Sequence, residues 1–395
     1  MKSSLCKHYA ECGGCNLLHL DYAKTLTDKQ ARLRKIFSAY RGVEISPVLA
    51  SSPEHHYRHK VQLPVGRSAD GAVVGLLARD RKKIVSQKEC YIQHPHLTLL
   101  AGVVEKWARD NQFPPYDERT GKGLLRHVLF RRSSRTGEIL LALSMLHKLP
   151  GEEKGYAKLK SMVQNALKNA EPFPLPGFSP QSKLAGITEI IRKSKGNIVL
   201  DGSRKTVFGK NFMEEAIGDV KYSLAIDSFF QTNPYQVTPL YQLVKKHVRS
   251  GSHVIDAYAG MGTIGLFVSD AAKSVTCVEQ NARAVTAGKE AIQRSGKKNV
   301  KILRADAGVY LLHKLKSGQN TGVILDPPRE GLTRDGVNGL LKAKTDYIIY
   351  VSCDPDSLKR DADLLKRNYF LKSLEPVDMF SFTDHLETVA LFLKK

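Results

Sequence analysis

Cys353 stands where the apolar run YIIYVS (347–352) gives way to a turn and the start of a helix, in SCDP (352–355). A structural cysteine is expected inside a strand, as Cys277 is in VTCVE (275–279). A thiol on the exit loop is better placed to react, and a helix N-terminus beside it favours the thiolate. Two carboxylates hold comparable places. Asp326 closes the run VILD (323–326) and leads into LDPPREGL (325–332), whose paired prolines make a rigid loop with few backbone donors. Glu387, in TDHLETVALF (383–392), lies just before the last apolar run; a surface carboxylate is its plain alternative.

A second set of residues has the types and spacing of a nucleotide-like cofactor site. In VIDAYAGMGTIGL (254–266), Asp256 and Tyr258 end a strand, and Gly260, Gly262 and Gly265 let the backbone turn tightly and approach a ligand before a helix begins. Glu279 ends the next strand and can accept from both ribose hydroxyls. Asp306, in RADA (304–307), follows the third strand, where its side chain can reach an adenine. Nicotinamide and S-adenosylmethionine sites share this much. Asp-Pro-Pro at the fourth strand end resembles methyltransferases acting on nucleobases, not dehydrogenases.

A third set is soft. Cys6, Cys12 and Cys15 lie within ten residues, and Cys90 is the one unassigned thiol left nearby. In a reducing cytoplasm such a pattern speaks for a metal or cluster and against disulfides. Four thiolates can hold a [4Fe–4S] cluster or a tetrahedral zinc, and the spacing does not choose between them.

These groups need elements to hold them. From about residue 221, Val237, Leu240, Tyr241, Val244 and Val248 recur at helical spacing. Strand-like runs follow at 253–258, 275–279, 300–303, 323–326, 347–352 and 388–393, with helix-length segments between most of them. This alternation predicts a parallel, doubly wound α/β sheet, whose ligands bind beyond the carboxyl ends of the strands. Before residue 221 the texture is mixed α+β. Runs such as ILLALSML (139–146) and NIVLDGS (197–203) are bounded by glycine or charge, and EPFPLPGFSP (171–180) reads as a linker or a surface loop. The division expected is 1–220, carrying the cysteines and RNA-binding surface, and 221–395, catalytic.

Composition narrows the partners. The 395 residues carry a net charge of +22. Residues 221–395 hold 25 basic and 18 acidic side chains, a net of +7, which leaves +15 in 1–220. Such a field attracts nucleic acid. Arg126, Arg131, Arg132 and Arg135, with Lys82 and Lys83, are candidates for gripping phosphates. No apolar run is long enough for a membrane helix, and MKSSLCKHYAECGGC lacks an apolar signal core, so a cytoplasmic protein is expected. No protein partner follows from the sequence.

Taken together, FFQTNPYQ (229–236), DAYAGMGTIGL (256–266), DPPREGL (326–332), SCDP (352–355) and DHLE (384–387) resemble the RNA uracil-C5 methyltransferase family, in that family's order. CKHYAECGGC (6–15), YRHKVQ (57–62) and LRHVLFRR (125–132) extend the likeness to the N-terminal half. The resemblance implies a Rossmann-like S-adenosylmethionine-dependent methyltransferase domain, with Gln231, Tyr258, Glu279, Asp326 and Asp306 at the cofactor. It implies Cys353 as nucleophile and Glu387 as base, and favours a [4Fe–4S] cluster over zinc. The cysteines begin at residue 6, leaving no room ahead of them for the TRAM barrel of some members, so the likeness is to enzymes acting on 23S ribosomal RNA. A tRNA substrate is the alternative. Two positions depart from the pattern: Ala259 where the family often has Cys, and Asp354 where it usually has Asn. A carboxylate beside Cys353 is expected to raise the thiol's pKa. An amino-group methyltransferase would not need Cys353 or Glu387 and usually has Tyr or Phe where this chain has Arg329. A non-catalytic RNA-binding factor would need neither catalytic residue.

Overall fold

The computed structural model describes residues 6–192, 202–315, 320–343 and 345–395. The N-terminal half runs α1 (Tyr22–Ile36), β1 (Glu44–Ile45), β2 (Lys60–Ser68), β3 (Gly71–Leu77), β4 (Ile84–Ser86), α2 (Pro95–Asp110), β5 (Leu125–Arg132), β6 (Glu138–Met145), α3 (Glu152–Lys168), β7 (Lys183–Arg192) and β8 (Gly202–Gly209). Next come β9 (Phe212–Ile217), β10 (Val220–Ala225), α4 (Pro234–Lys246), β11 (His253–Ala257), α5 (Thr263–Val268), β12 (Ser274–Glu279), α6 (Ala282–Ser295) and β13 (Val300–Arg304). The chain ends with α7 (Ala307–His313), β14 (Thr321–Leu325), α8 (Arg334–Ala343), β15 (Tyr347–Ser352), α9 (Pro355–Leu365), β16 (Tyr369–Val377) and β17 (Glu387–Lys394).

Two compact units form, and they do not divide at residue 220. One comprises Met1–His19, His55–Glu215 and Ser223–Pro234; the other comprises Leu20–Glu54, Ala216–Tyr222 and Tyr235–Lys395. The reason is apolar: Leu33 of α1 and Phe37, the residue that follows this helix, are buried in the same core as Leu325, Ile348 and Tyr350. An amphipathic helix goes where its apolar stripe is covered, whatever its place in the chain.

In the second unit an eight-stranded sheet has the order β1-β16-β17-β15-β14-β11-β12-β13. Strands β11 to β15 are parallel, as the alternating pattern predicts. All residues of β14 and β15 are buried, as strands covered by helices on both faces require. The last strand departs from the expectation: β17 runs antiparallel to both β15 and β16. A nine-residue connection (378–386) turns the chain directly back, where a parallel return needs a longer crossover. Gly322 lets β14 and β15 approach, since a Cβ there would lie 2.0 Å from the Tyr347 ring. Asn281 caps α6, accepting from the Arg283 and Ala284 N–H groups.

The first unit is built on a seven-stranded sheet, β4-β3-β2-β5-β6-β7-β8, with Leu97, Leu100, Val104 and Trp107 of α2 in its core. ILLALSML falls in β6, and EPFPLPGFSP is an irregular loop inside this unit, not a linker between units. NIVLDGS lies outside the described residues as far as Asp201.

Candidate active site

The sheet register brings the chemistry together. Ser352 pairs with Thr388 across the antiparallel β15–β17 ladder, so one step further Cys353 leaves β15 opposite Glu387 at the start of β17. Leu325 pairs with both Ala257 and Tyr350, so Asp326 emerges at this edge too, one residue beyond. The glycine loop follows β11, at the point where the parallel order reverses and a doubly wound sheet opens its crevice.

The crevice is rich in acid. Glu387 is buried, and burial together with Asp326 pushes its carboxyl up to about 8, against the opposing Arg329 guanidinium. Burial pushes Asp326 up to about 7. Asp256 is fully buried and is pushed up to about 7 by that burial, with Asp326 adding to it and the Gly265 N–H opposing it. The Cys353 thiol is pushed up to about 11 by burial, then by Glu387 and Asp326; Arg329 works the other way. Asp354 is not the cause expected from sequence. Its carboxylate caps α9, accepting from the Asp356 N–H at 2.9 Å, a bond that Asn makes equally well.

The cofactor-type residues are placed as follows. Tyr258 takes a left-handed φ of 63°, and an added Cβ at Gly336 would lie 3.4 Å from its hydroxyl, so its ring rests on the first turn of α8. Glu279 accepts from the Gly260 N–H at 3.0 Å and from the Asn281 N–H at 2.6 Å. It therefore holds the glycine loop itself. Asp306 is exposed and caps α7 through the Val309 N–H at 2.9 Å. Gln231 belongs to the first unit, where it lines a small cleft with Lys60, Arg131 and Glu215.

Several contributors were not read from the sequence as site residues. Arg329, exposed on the Asp-Pro-Pro loop, donates toward the His385 ring at 3.3 Å and is the cation acting on both Cys353 and Glu387. Asp361, one face of α9 below Cys353, accepts from the Tyr350 hydroxyl at 2.7 Å and the Leu332 N–H at 2.8 Å, while Arg360 donates to the Glu330 carbonyl at 2.6 Å. These bonds fix the loop that carries Asp326. The DPPREGL motif contained the signal for Arg329; nothing in the spacing pointed to Asp361.

The proposed phosphate grips separate into two kinds. Arg126, Arg131 and Arg132 are buried. Arg131 donates to the Ala225 and Ser228 carbonyls and Lys60 to Ser228, bracing the segment that leads to Gln231. Arg135, Lys82 and Lys83 are exposed.

Cys6 and Cys12 are buried, and Cys15 and Cys90 partly so. The Cys15 thiol is pushed up to about 12 by burial and then by Cys90, Cys12 and Cys6, which brings all four into one electrostatic neighbourhood. Cys12 Sγ accepts from the Gly14 N–H at 3.3 Å and from Gln87 at 3.7 Å. Among the described residues no group of three or more His, Cys, Asp or Glu is drawn together tightly enough for a single metal ion. Among the described residues a tight tetrahedral pocket is not formed, and what these four residues offer a soft group is their sulfur atoms.

Residues 185–395 match the family model for tRNA (uracil-5-)-methyltransferase. The chain belongs to this family. An uncharacterized RNA methyltransferase of Leptospira interrogans is 35% identical over 98% of both chains. Another from Clostridium acetobutylicum is 30% identical over 98% of this chain and 82% of its own. In fold, the chain is similar to Pyrococcus abyssi tRNA (uracil-54, C5)-methyltransferase in complex with S-adenosyl-L-homocysteine, with a TM-score of 0.76, 24% identity, and coverage of 97% of this chain and 86% of that one. The family member described here is thus an RNA uracil-5 methyltransferase of α/β fold. Among the described residues no helix is long and apolar enough to cross a membrane.

Proposed function

We propose that this methyltransferase acts on a uridine of 23S ribosomal RNA in the cytoplasm through a covalent bond between Cys353 and uracil C6. The observation that carries the mechanism is the β15–β17 register, which sets a thiol and a buried carboxylate across from each other at the edge of the crevice. C5 of uracil is a poor nucleophile. When Cys353 Sγ adds to C6, the C5–C6 π electrons move toward the C4 carbonyl as an enolate, and C5 becomes carbanion-like. S-adenosylmethionine supplies the electrophilic methyl as its sulfonium. Glu387 then takes the C5 proton, the C5–H pair forms the new C5–C6 double bond, and the C6–S pair leaves on Cys353. Burial and Asp326 make the deprotonated Glu387 a stronger base than a solvated carboxylate, and Arg329 supplies counter-charge when the thiol ionises. The target base must leave its stack to reach the thiol, so a loop or remodelled RNA segment is the substrate.

Tyr258, Glu279, Asp326, Asp306 and Gln231 are the residues we assign to the cofactor, and Cys6, Cys12, Cys15 and Cys90 those we assign to a [4Fe–4S] cluster, with zinc as the alternative. The choice of ribosomal RNA rests on this cysteine quartet, and the strongly basic N-terminal portion supports an RNA substrate of either kind. The test uses RNA containing 5-fluorouridine, cofactor with a labelled methyl, and a denaturing gel. Fluorine replaces the proton that Glu387 removes, so a labelled, shifted band is expected with ribosomal RNA and is absent in Cys353→Ala. A band with tRNA alone reassigns the substrate; no band with either RNA overturns the covalent mechanism.

A further inference from the structure

The 378–386 connection delivers Glu387 to the crevice, and it is held by α1, a helix far outside the segment that the family model matches. Lys29 of α1 and Asp378 form an ion pair at 2.6 Å, with side chains 4% and 0% exposed. A second Lys29 N–H reaches the Phe380 carbonyl at 3.2 Å. The Tyr22 hydroxyl donates to the other Asp378 oxygen at 2.8 Å and accepts from the Ser51 N–H at 2.7 Å. One turn beyond Lys29, Arg32 donates to the Asp384 carbonyl at 3.3 Å and pairs at 2.8 Å with Asp356, three residues after Cys353. Within the connection Phe382 has a φ of 60°, a conformation that side chains other than glycine rarely hold unaided.

A buried ion pair is a poor way to gain stability, because desolvating both charges cancels much of their attraction. What it does well is fix one geometry. Here it fixes the start of the connection, while Arg32 ties its far end to the helix that follows Cys353. We propose that Lys29, Tyr22 and Arg32 are positioning residues for the general base: α1 sets where Glu387 stands relative to C5 of the adduct. This rests on the reading of Glu387 as the base.

The consequence is specific to one step. Attack by Cys353 and methyl transfer precede any use of Glu387. A loosened connection therefore delays only removal of the C5 proton and release of the C6–S pair, and the methylated adduct persists. A general loss of fold would instead lower every step together.

The experiment incubates wild-type enzyme and variants with ordinary uridine RNA and labelled cofactor, then reads the fraction of label in a protein–RNA band on a denaturing gel alongside turnover. Glu387→Gln is the reference for a missing base and Cys353→Ala for no adduct. Lys29→Met is expected to raise the adduct fraction about tenfold over wild type while turnover falls, a size consistent with a small misplacement of a reacting group. Lys29→Arg restores the wild-type pattern. Arg32→Ala and Tyr22→Phe, which leave the buried ion pair in place, raise the adduct several-fold and carry the test should Lys29→Met fail to fold by circular dichroism. A band in Glu387→Gln with none above wild type in the α1 variants overturns the positioning role alone. No band in Glu387→Gln overturns the assignment of the base, and the positioning role with it.

Discussion

At the scale of single residues the crevice is a site short of positive charge. Asp326 and Glu387 act on a thiol that burial already disfavours as thiolate. Two outcomes follow. Removing the Asp326 charge lowers the Cys353 pKa, so Asp326→Asn is expected to speed alkylation of Cys353 by iodoacetamide at mildly alkaline pH severalfold, read by peptide mapping; an unchanged rate would remove Asp326 from the thiol's electrostatics. Glu387 makes the second prediction. Folded, its carboxyl sits at about 8, above an unfolded value of roughly 4.3. Between those values the folded state holds a proton that the unfolded state has released, so stability falls as pH rises through this window. Glu387→Gln removes the penalty. Its stabilising effect should be small near pH 4 and grow to roughly 2–4 kcal/mol near pH 8, measured by urea unfolding at both ends. That is the stability commonly given up where an active site holds a group out of its preferred state.

At the scale of elements, the strand ends were legible because a buried strand reads as a largely apolar run and the candidate residues sit at or just past its end. Asp326 and Cys353 stand one step past β14 and β15, and Glu279 is the last residue of β12. What the pattern concealed was pairing. Strand β16 contains Lys372, Ser373, Glu375 and Pro376, so it does not read as a buried strand, and its presence as the antiparallel partner of β17 comes only from the sheet. The placement of α1 was equally hidden, since an apolar stripe does not name the surface that covers it. This leads to a prediction against the boundary at 220. A fragment of residues 221–395 lacks Leu33 and Phe37 from its core and should fail to show a cooperative thermal transition, although it contains most of the family-matched segment. In the full chain Leu33→Ala should cost about 2–5 kcal/mol, as for other fully buried leucines. A 221–395 fragment that melts cooperatively would refute the role of α1 in this core.

At the scale of the whole molecule, the net charge of +22 and the surplus in residues 1–220 argue for an RNA partner, yet charge count does not say which cations touch it. Burial does part of that sorting. Arg131 is buried and spends its donors on the Ala225 and Ser228 carbonyls, so its charge braces the Gln231 segment. Arg135, Lys82 and Lys83 face solvent, where a phosphate can reach them. The two kinds of cation should separate in the salt dependence of RNA binding. Each phosphate contact releases counterions, and its loss flattens the plot of log affinity against log salt by about 0.7–0.9 per contact. Replacing Arg135, Lys82 and Lys83 together by Gln is therefore expected to reduce that slope by about 2 while leaving cofactor affinity unchanged. Arg131→Met should leave the slope alone and weaken cofactor binding instead, because it releases the carbonyls that hold the Gln231 segment. Filter binding of RNA across a salt series, with calorimetry of the cofactor, distinguishes the two. An Arg131→Met protein with a flatter slope and normal cofactor binding would mean that the buried guanidinium meets the RNA after all.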